Sequence, residues 1–199
     1  NTIDTVSGTS TLQVGSTNTS TITLGVSGDT INVPSGVTIN NNGTQTGFGA
    51  SNKPAFFASK SDSSQSISHN TYTKITFNNE VFDTDSAFAS SKFTVPSGQG
   101  GKYFFTFQLN CVQGSVLMRT LFASYYKNGS TIGNYIDIET RTDSPLYAYT
   151  VKTPIILDLS AGDYIEVYLK PQTTTGTPAV DVTSASSYFK TYFTGYKLF

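Results

Sequence analysis

Short runs of alternating apolar and polar residues follow one another along this chain, with no convincing helix between them. Period-two alternation predicts strands at Ala55–Ala58, Thr73–Phe77, Phe93–Val95, Gly101–Val112, Arg119–Lys127, Ile132–Glu139, Tyr147–Leu159, Tyr164–Lys170 and Ser187–Leu198. Roughly eight to ten strands in about 145 residues imply an all-β sandwich or jelly roll. Turn chemistry separates them. Lys127-Asn128-Gly129 is a hairpin signal, Ser160-Ala161-Gly162-Asp163 a tight turn, and Val95-Pro96-Ser97-Gly98 ends a strand.

Within these strands the aromatics occupy both faces. Tyr103, Phe105, Phe107 and Leu109 line one face, yet Phe104 sits opposite, and Tyr188, Phe189, Tyr192, Phe193 and Tyr196 are likewise split. A lone sandwich buries one face per sheet, so the second set calls for another surface, most simply another subunit around a symmetry axis. Phe104, Tyr188, Phe189, Tyr192, Phe193 and Tyr196 are the candidates for that contact. Loop cover or scattered exposed aromatics is the alternative.

The first fifty residues read differently. Thr11-Leu12-Gln13-Val14, Thr21-Ile22-Thr23-Leu24, Thr30-Ile31-Asn32-Val33 and Val37-Thr38-Ile39 are short alternating pieces, each with two aliphatics, between Gly, Ser, Asn and Pro turns. Strands so thin close no core within one chain, but copies wound about an axis would bury the aliphatics together. The expectation is a β-rich fibrous stem over 1–50, with Asn40–Gly49 as a neck; a disordered Ser/Thr linker is the alternative. Composition changes at the same place. Residues 1–50 carry only Asp4 and Asp29 as charges, whereas 51–199 hold all twelve Lys and Arg and nearly all the aromatics. That break sets the expected domains, 1–50 and 51–199; the longer one is large enough for its own core and the shorter needs a partner surface.

Charge excludes some partners. The net charge is −1, and beyond residue 50 twelve basic residues face eleven acidic ones, so nothing in the balance suggests nucleic acid or an anionic membrane. No segment reaches 18 continuous apolar residues, so membrane insertion is not expected. Cys111, the single cysteine, lies in an alternating run and reads as a small buried apolar residue. Because the first residue is Asn, a fragment or processed product is expected, with an attachment module upstream.

No catalytic motif is visible. His69, the only histidine, lies in the polar run Ser66–Asn70 and reads as a solvent-exposed spacer, and no nucleophile elbow, HExxH, P-loop or cysteine-pair motif occurs. A distant carboxylate pair such as Asp83 and Glu166 keeps glycosidase chemistry nominally open, but eleven acidic residues make chance pairs inevitable. The chain is expected not to be an enzyme and to need no cofactor or metal. Ser61–Asn70 and the Thr-rich Pro171–Ala179 read as exposed loops. Thr173, Thr174, Thr175, Gly176 and Thr177 form the candidate recognition loop; its uncharged polarity suits hydrogen bonding to carbohydrate or protein, and a mobile solvated loop is the alternative.

Several motifs then agree. Ala55-Phe56, Ile75-Thr76-Phe77-Asn78, Val81-Phe82, and Phe88 with Lys92-Phe93-Thr94-Val95-Pro96 and Gly101-Lys102-Tyr103-Phe104-Phe105 resemble successive strands of the C1q-like domains in the C1q/TNF-like jelly-roll superfamily. Leu159–Val167 resembles the family's penultimate-strand motif and Ser187–Phe199 its closing strand, so the resemblance covers about Asn52 to Phe199. It implies a ten-stranded jelly roll assembled as a homotrimer through aromatic contacts. Some members bind calcium near the trimer axis; Asp137, Glu139 and Asp143 match that only loosely, without the oxygen density calcium needs. Residues 1–50 lack the Gly-X-Y period of the collagen stems of animal members, and their Thr/Asn/Gly composition looks like bacteriophage or other viral fibre and decoration proteins. The expected function is therefore a trimeric virion structural protein (head fibre, capsid decoration or tail fibre) exposed on the particle surface. It would bind other virion proteins through the stem. A fibre-tip module for a host surface glycan or receptor, and a secreted C1q-like ligand, are the alternatives.

Overall fold

The computed structural model describes residue 14 and residues 21–40, 52–112, 118–139, 148–174, 176–181 and 189–198, with 134–139 described by backbone alone. Two units separate, Asn1–Phe48 and Gly49–Phe199. The described residues contain strands and no helix.

The second unit is a sandwich of two antiparallel sheets. The first holds β1 (Ala55–Ser59), β2 (Gln65–Ser66), β4 (Asn79–Asp83), β7 (Gly101–Val112), β10 (Ala148–Leu159), β12 (Ala179–Val180) and β13 (Tyr192–Lys197). The second holds β3 (Thr73–Lys74), β5 (Phe88–Ala89), β6 (Lys92–Thr94), β8 (Met118–Lys127), β9 (Ser130–Glu139) and β11 (Tyr164–Thr173). β7 is the spine of the first sheet: β10 pairs with its whole length along one edge, while β13 and then β12 share the other. In the second sheet β11 pairs with β8 on one edge and with β6 and β3 on the other. Among the described residues the ladders fall into thirteen segments, where ten strands were expected. Two-residue bridges such as β2, β3 and β12 carry too little alternation to be read from sequence.

Alternation decides which side chains enter the core. Tyr103, Phe105, Phe107, Leu109 and Cys111 of β7 are fully buried, and so are Ile165, Val167 and Leu169 of β11. Phe56 sits at the centre, stacked at 4.8 Å on Phe88 and 5.1 Å on Phe93, with Phe193 edge-on at 4.9 Å. Each such ring contributes roughly 1.5–3 kcal/mol by leaving water. Burial raises the Cys111 thiol to about 12, which keeps it protonated and inert.

The turns follow their residues. Asn128 and Gly129 both take positive φ, 53° and 79°, as a two-residue hairpin between β8 and β9 requires. Asp163 ties that hairpin to the Ser160–Asp163 turn. Its carboxylate meets Lys127 Nζ at 2.8 Å and accepts from Asn128 Nδ2 at 2.7 Å and the Ser160 amide at 2.8 Å. These contacts hold its pKa down at about 2.

In the first unit the expected strands Thr21–Leu24, Thr30–Val33 and Val37–Ile39 carry no ladder. Two turns occur instead, closed by Asp29 N to Val26 O at 3.0 Å and Val37 N to Pro34 O at 3.2 Å. The physical reason is that a strand needs a neighbouring backbone, and this segment of a single chain supplies none. Ile22, Leu24, Val26, Ile31, Val33, Val37 and Ile39 are all exposed. Of Thr11–Val14 only Val14 is described, and it too is exposed; Asn41–Gly49 of the expected neck lies outside the described residues.

Candidate functional site

The outward face of the first sheet carries a group of exposed apolar residues, and strand register lays it out. Tyr196 of β13 stands opposite Phe104 of β7, which stands opposite Ile156 of β10. The Phe104 and Tyr196 rings are 5.4 Å apart, while Ile156 remains 61% and Tyr196 37% exposed. Two residues further along, on the same face, Phe82 of β4 pairs with Phe57 of β1, whose ring stacks on Tyr192 at 5.2 Å and meets Phe189 edge-on at 4.8 Å. Phe82 and Phe189 are themselves 48% and 44% exposed. Between the two groups lie Thr194 and its registered partner Thr106. An open depression of about 460 Å³ lies at one end of this face, lined by Asn52, Ala55, Phe82, Thr194, Gly195 and Tyr196.

Polar residues bound the face. Lys102 Nζ meets Asp158 at 3.2 Å on one side, and Asn110 Nδ2 donates to Thr150 Oγ1 at 2.8 Å on the other. From Phe82 to Ile156 the face crosses five paired strands, a width of roughly 19 Å at standard strand spacing.

The aromatics singled out from sequence therefore divide. Phe104, Tyr192 and Tyr196 face outward, with Phe189 beside them. Phe193 points the other way and is fully buried, 4.9 Å from Phe56 and 5.9 Å from Phe105. Its parity on β13 puts it in the core, where it is covered within one chain. Tyr188 lies outside the described residues. Sequence reading missed Phe57, Phe82 and Ile156. Ile156 sits in a continuous apolar run with Pro154, Ile155 and Leu157, where alternation gives no clue to facing.

The two loops assigned separately from sequence meet at one edge of the sandwich. β2, from Ser61–Asn70, pairs with β12, which begins at the last residue of the Thr-rich segment, and Ile67 N donates to Pro178 O at 2.8 Å. His69 is exposed, but it is more than a spacer: its Nδ1 accepts the Thr173 amide at 3.1 Å. Pro171 and Thr173 are corrected from exposed loop to the buried end of β11, because Pro171 pairs with Leu121 and Thr173 with Met118. Thr174, Gly176 and Thr177 remain exposed, with Gly176 at φ 74°, and Thr175 lies outside the described residues.

The carboxylates considered for catalysis sit on different sheets and already serve the fold. Asp83 accepts the amides of Ala87 at 3.0 Å and Phe88 at 2.8 Å, closing the turn after β4. Glu166 Oε1 accepts from Lys74 Nζ at 2.6 Å. Among the described residues no group of three or more His, Cys, Asp or Glu is placed to hold a metal. Asp143, and the side chains of Asp137 and Glu139, lie outside them. No helix among them is long and apolar enough to cross a membrane.

Against known proteins, residues 55–198 match the C1q domain family. Among solved structures the chain is similar to the globular domain of zebrafish complement 1qA protein, at 19% identity and a TM-score of 0.49, covering 74% of this chain and 98% of that one. It is also similar to Eiger TNF from S. frugiperda, at 13% identity and a TM-score of 0.47, covering 73% of this chain and 92% of that one. No curated protein matches.

Proposed function

Because the chain belongs to the C1q domain family over residues 55–198, we propose that it works as a homotrimeric, non-enzymatic display head whose subunits meet through the outward face of the first sheet. Domains of this family commonly form trimers and typically serve as binding or structural modules. The observation that carries the reading is the row Tyr196, Phe104 and Ile156 beside the Phe57, Phe82, Phe189 and Tyr192 cluster. Rings on the solvent side of a five-strand face make an apolar patch of the kind that marks an interaction surface. Their ring-rich composition suits the core of an interface.

Residues 1–50 act in this reading as a stem completed by its copies, which supplies the missing strand neighbours and covers the exposed aliphatics. The Thr, Ser and Asn composition of that stem, without a Gly-X-Y period, supports a place on a virus particle as head fibre, capsid decoration or tail fibre. A secreted ligand carrying the same head fits the family match equally well. As a fibre tip, the head would offer Thr174, Gly176 and Thr177 to a host glycan or receptor.

Light scattering after size exclusion on residues 1–199 and 51–199 tests assembly. Three-fold mass for both assigns trimerisation to the head, a monomeric 51–199 assigns it to the stem, and monomers for both overturn the reading. Mass spectrometry of purified particles against cell-free medium separates virion component from secreted ligand.

A further inference from the structure

The outward face of the second sheet is built differently from that of the first, with rings and charges alternating across its strands. Lys170 of β11 stands opposite Phe122 of β8, and its ammonium lies 4.5 Å from the Phe122 ring centroid and 4.7 Å from that of Tyr72. Two residues along β11, Tyr168 stacks on Tyr126 at 3.9 Å and 28°, and Tyr126 lies 6.0 Å from Tyr72. Tyr168 Oη donates to Glu166 Oε2 at 3.4 Å, and Lys74 covers Oε1. Burial holds the Tyr72 and Tyr168 phenols above their ordinary value, so both remain protonated donors.

Two groups in this cluster lack what such groups normally have. The Tyr72 hydroxyl is buried and makes no hydrogen bond, an omission that ordinarily costs about 1–3 kcal/mol of desolvation. Lys170, and Lys92 lying 4.5 Å over the Tyr164 ring, have no carboxylate partner among the described residues. Among the described residues, Lys74 alone of the three lysines Lys74, Lys92 and Lys170 on this face meets a carboxylate, that of Glu166.

We propose that this face binds an acidic saccharide: a sugar ring lies against the Tyr126 and Tyr168 platform, its hydroxyls engage Tyr72 and Glu166, and its carboxylate sits at Lys170. Ring faces favour the C–H face of a pyranose, a carboxylate beside phenols suits sugar hydroxyls, and the Lys170 ammonium, with no carboxylate partner among the described residues, suits one anionic group. A nucleic acid strand would stack on the same rings, but its repeated phosphates require a basic track, and the whole chain is net negative. The site lies on the opposite sheet from the proposed subunit contact and does not depend on assembly.

The chain has no tryptophan, and Tyr72, Tyr126 and Tyr168 are three of its twelve tyrosines, so a ligand on this face alters the tyrosine emission. Titrating the full chain with 3′-sialyllactose is expected to give a saturable change, with lactose binding about tenfold more weakly for want of the charge. Lys170→Met should lose a similar factor. Tyr72→Phe is the sharper variant: it removes a hydroxyl with no partner in the free protein, so thermal stability should hold or rise while sialyllactose binding weakens several-fold. The proposal is overturned by absence of binding at millimolar sialyllactose, by equal affinity for lactose, by tighter binding of a short oligothymidylate, or by either variant binding as the parent does.

Discussion

Gly195 of β13 lies directly beneath the ring of Phe105, its registered partner on β7. A Cβ built there would fall 2.7 Å from Phe105 Cε1 and 2.9 Å from the Phe104 carbonyl oxygen. The absent side chain lets Phe105 settle into the core while Phe104 and Tyr196 meet on the opposite face. Gly195→Ala is therefore expected to destabilise the domain by about 2 kcal/mol, through displacement of a packed ring. Urea unfolding of the variant measures it, and an unchanged midpoint would show that the core yields freely at this point.

The outward row makes a separate demand. If the first sheet carries the subunit contact, Ile156→Asp and Tyr196→Ser should each weaken association by about 2 kcal/mol, roughly 30-fold, because each takes an exposed apolar anchor from the patch. Neither side chain belongs to the core, so far-ultraviolet circular dichroism should be unchanged while the mass by light scattering falls at micromolar concentration. Loss of folded signal together with mass would place these residues in fold maintenance instead.

Asp163 should dominate part of the acid limb. Its carboxyl is held at about 2 in the folded chain, below the ordinary value of 3.8, chiefly by hydrogen bonds from Lys127 and Asn128. Since the folded value is depressed, the stabilisation is present above pH ~4 and disappears as pH falls toward 2. Asp163→Asn should cost on the order of 1 kcal/mol at neutral pH, allowing for solvent screening at the edge of the sandwich. It should also flatten the decline in stability between pH 4 and 2, as read by thermal melting across that range.

His69 should restrain the Thr-rich segment. Replacing it with Ala removes the acceptor of the Thr173 amide, so exchange of that amide with deuterated solvent should speed up while exchange at Val167 and Leu169, deeper in β11, is unaltered. Protection retained at Thr173 would mean that β11 pairing with β8 alone holds the strand end.

Much of this architecture is legible from local pattern. The span Gly101–Val112 is read to the residue, and the Asn128-Gly129 hairpin follows from the φ that its residues tolerate. Facing was legible only where alternation is clean. Tyr103, Phe105 and Phe107 lie inside and Phe104 outside as their order requires, but Ile155-Ile156-Leu157 is a continuous run, and only pairing with Phe105, Phe104 and Tyr103 turns Ile156 outward. Phe193 failed as a surface candidate for the same reason, since aromatic identity carries no parity without a register.

By itself the sequence determined the element type, the main turns, the change of character at residue 50 and the buried, inert Cys111, because each rests on a residue's own backbone preference, charge or hydrophobicity. Only the tertiary structure decided that Ser61–Asn70 and Pro171–Ala179 share an edge, that Lys170 rests between Phe122 and Tyr72, and that Phe57 joins Phe82, Phe189 and Tyr192. Those relations join residues as much as 135 positions apart, where short-range periodicity carries no information and the pairing of strands sets every neighbour.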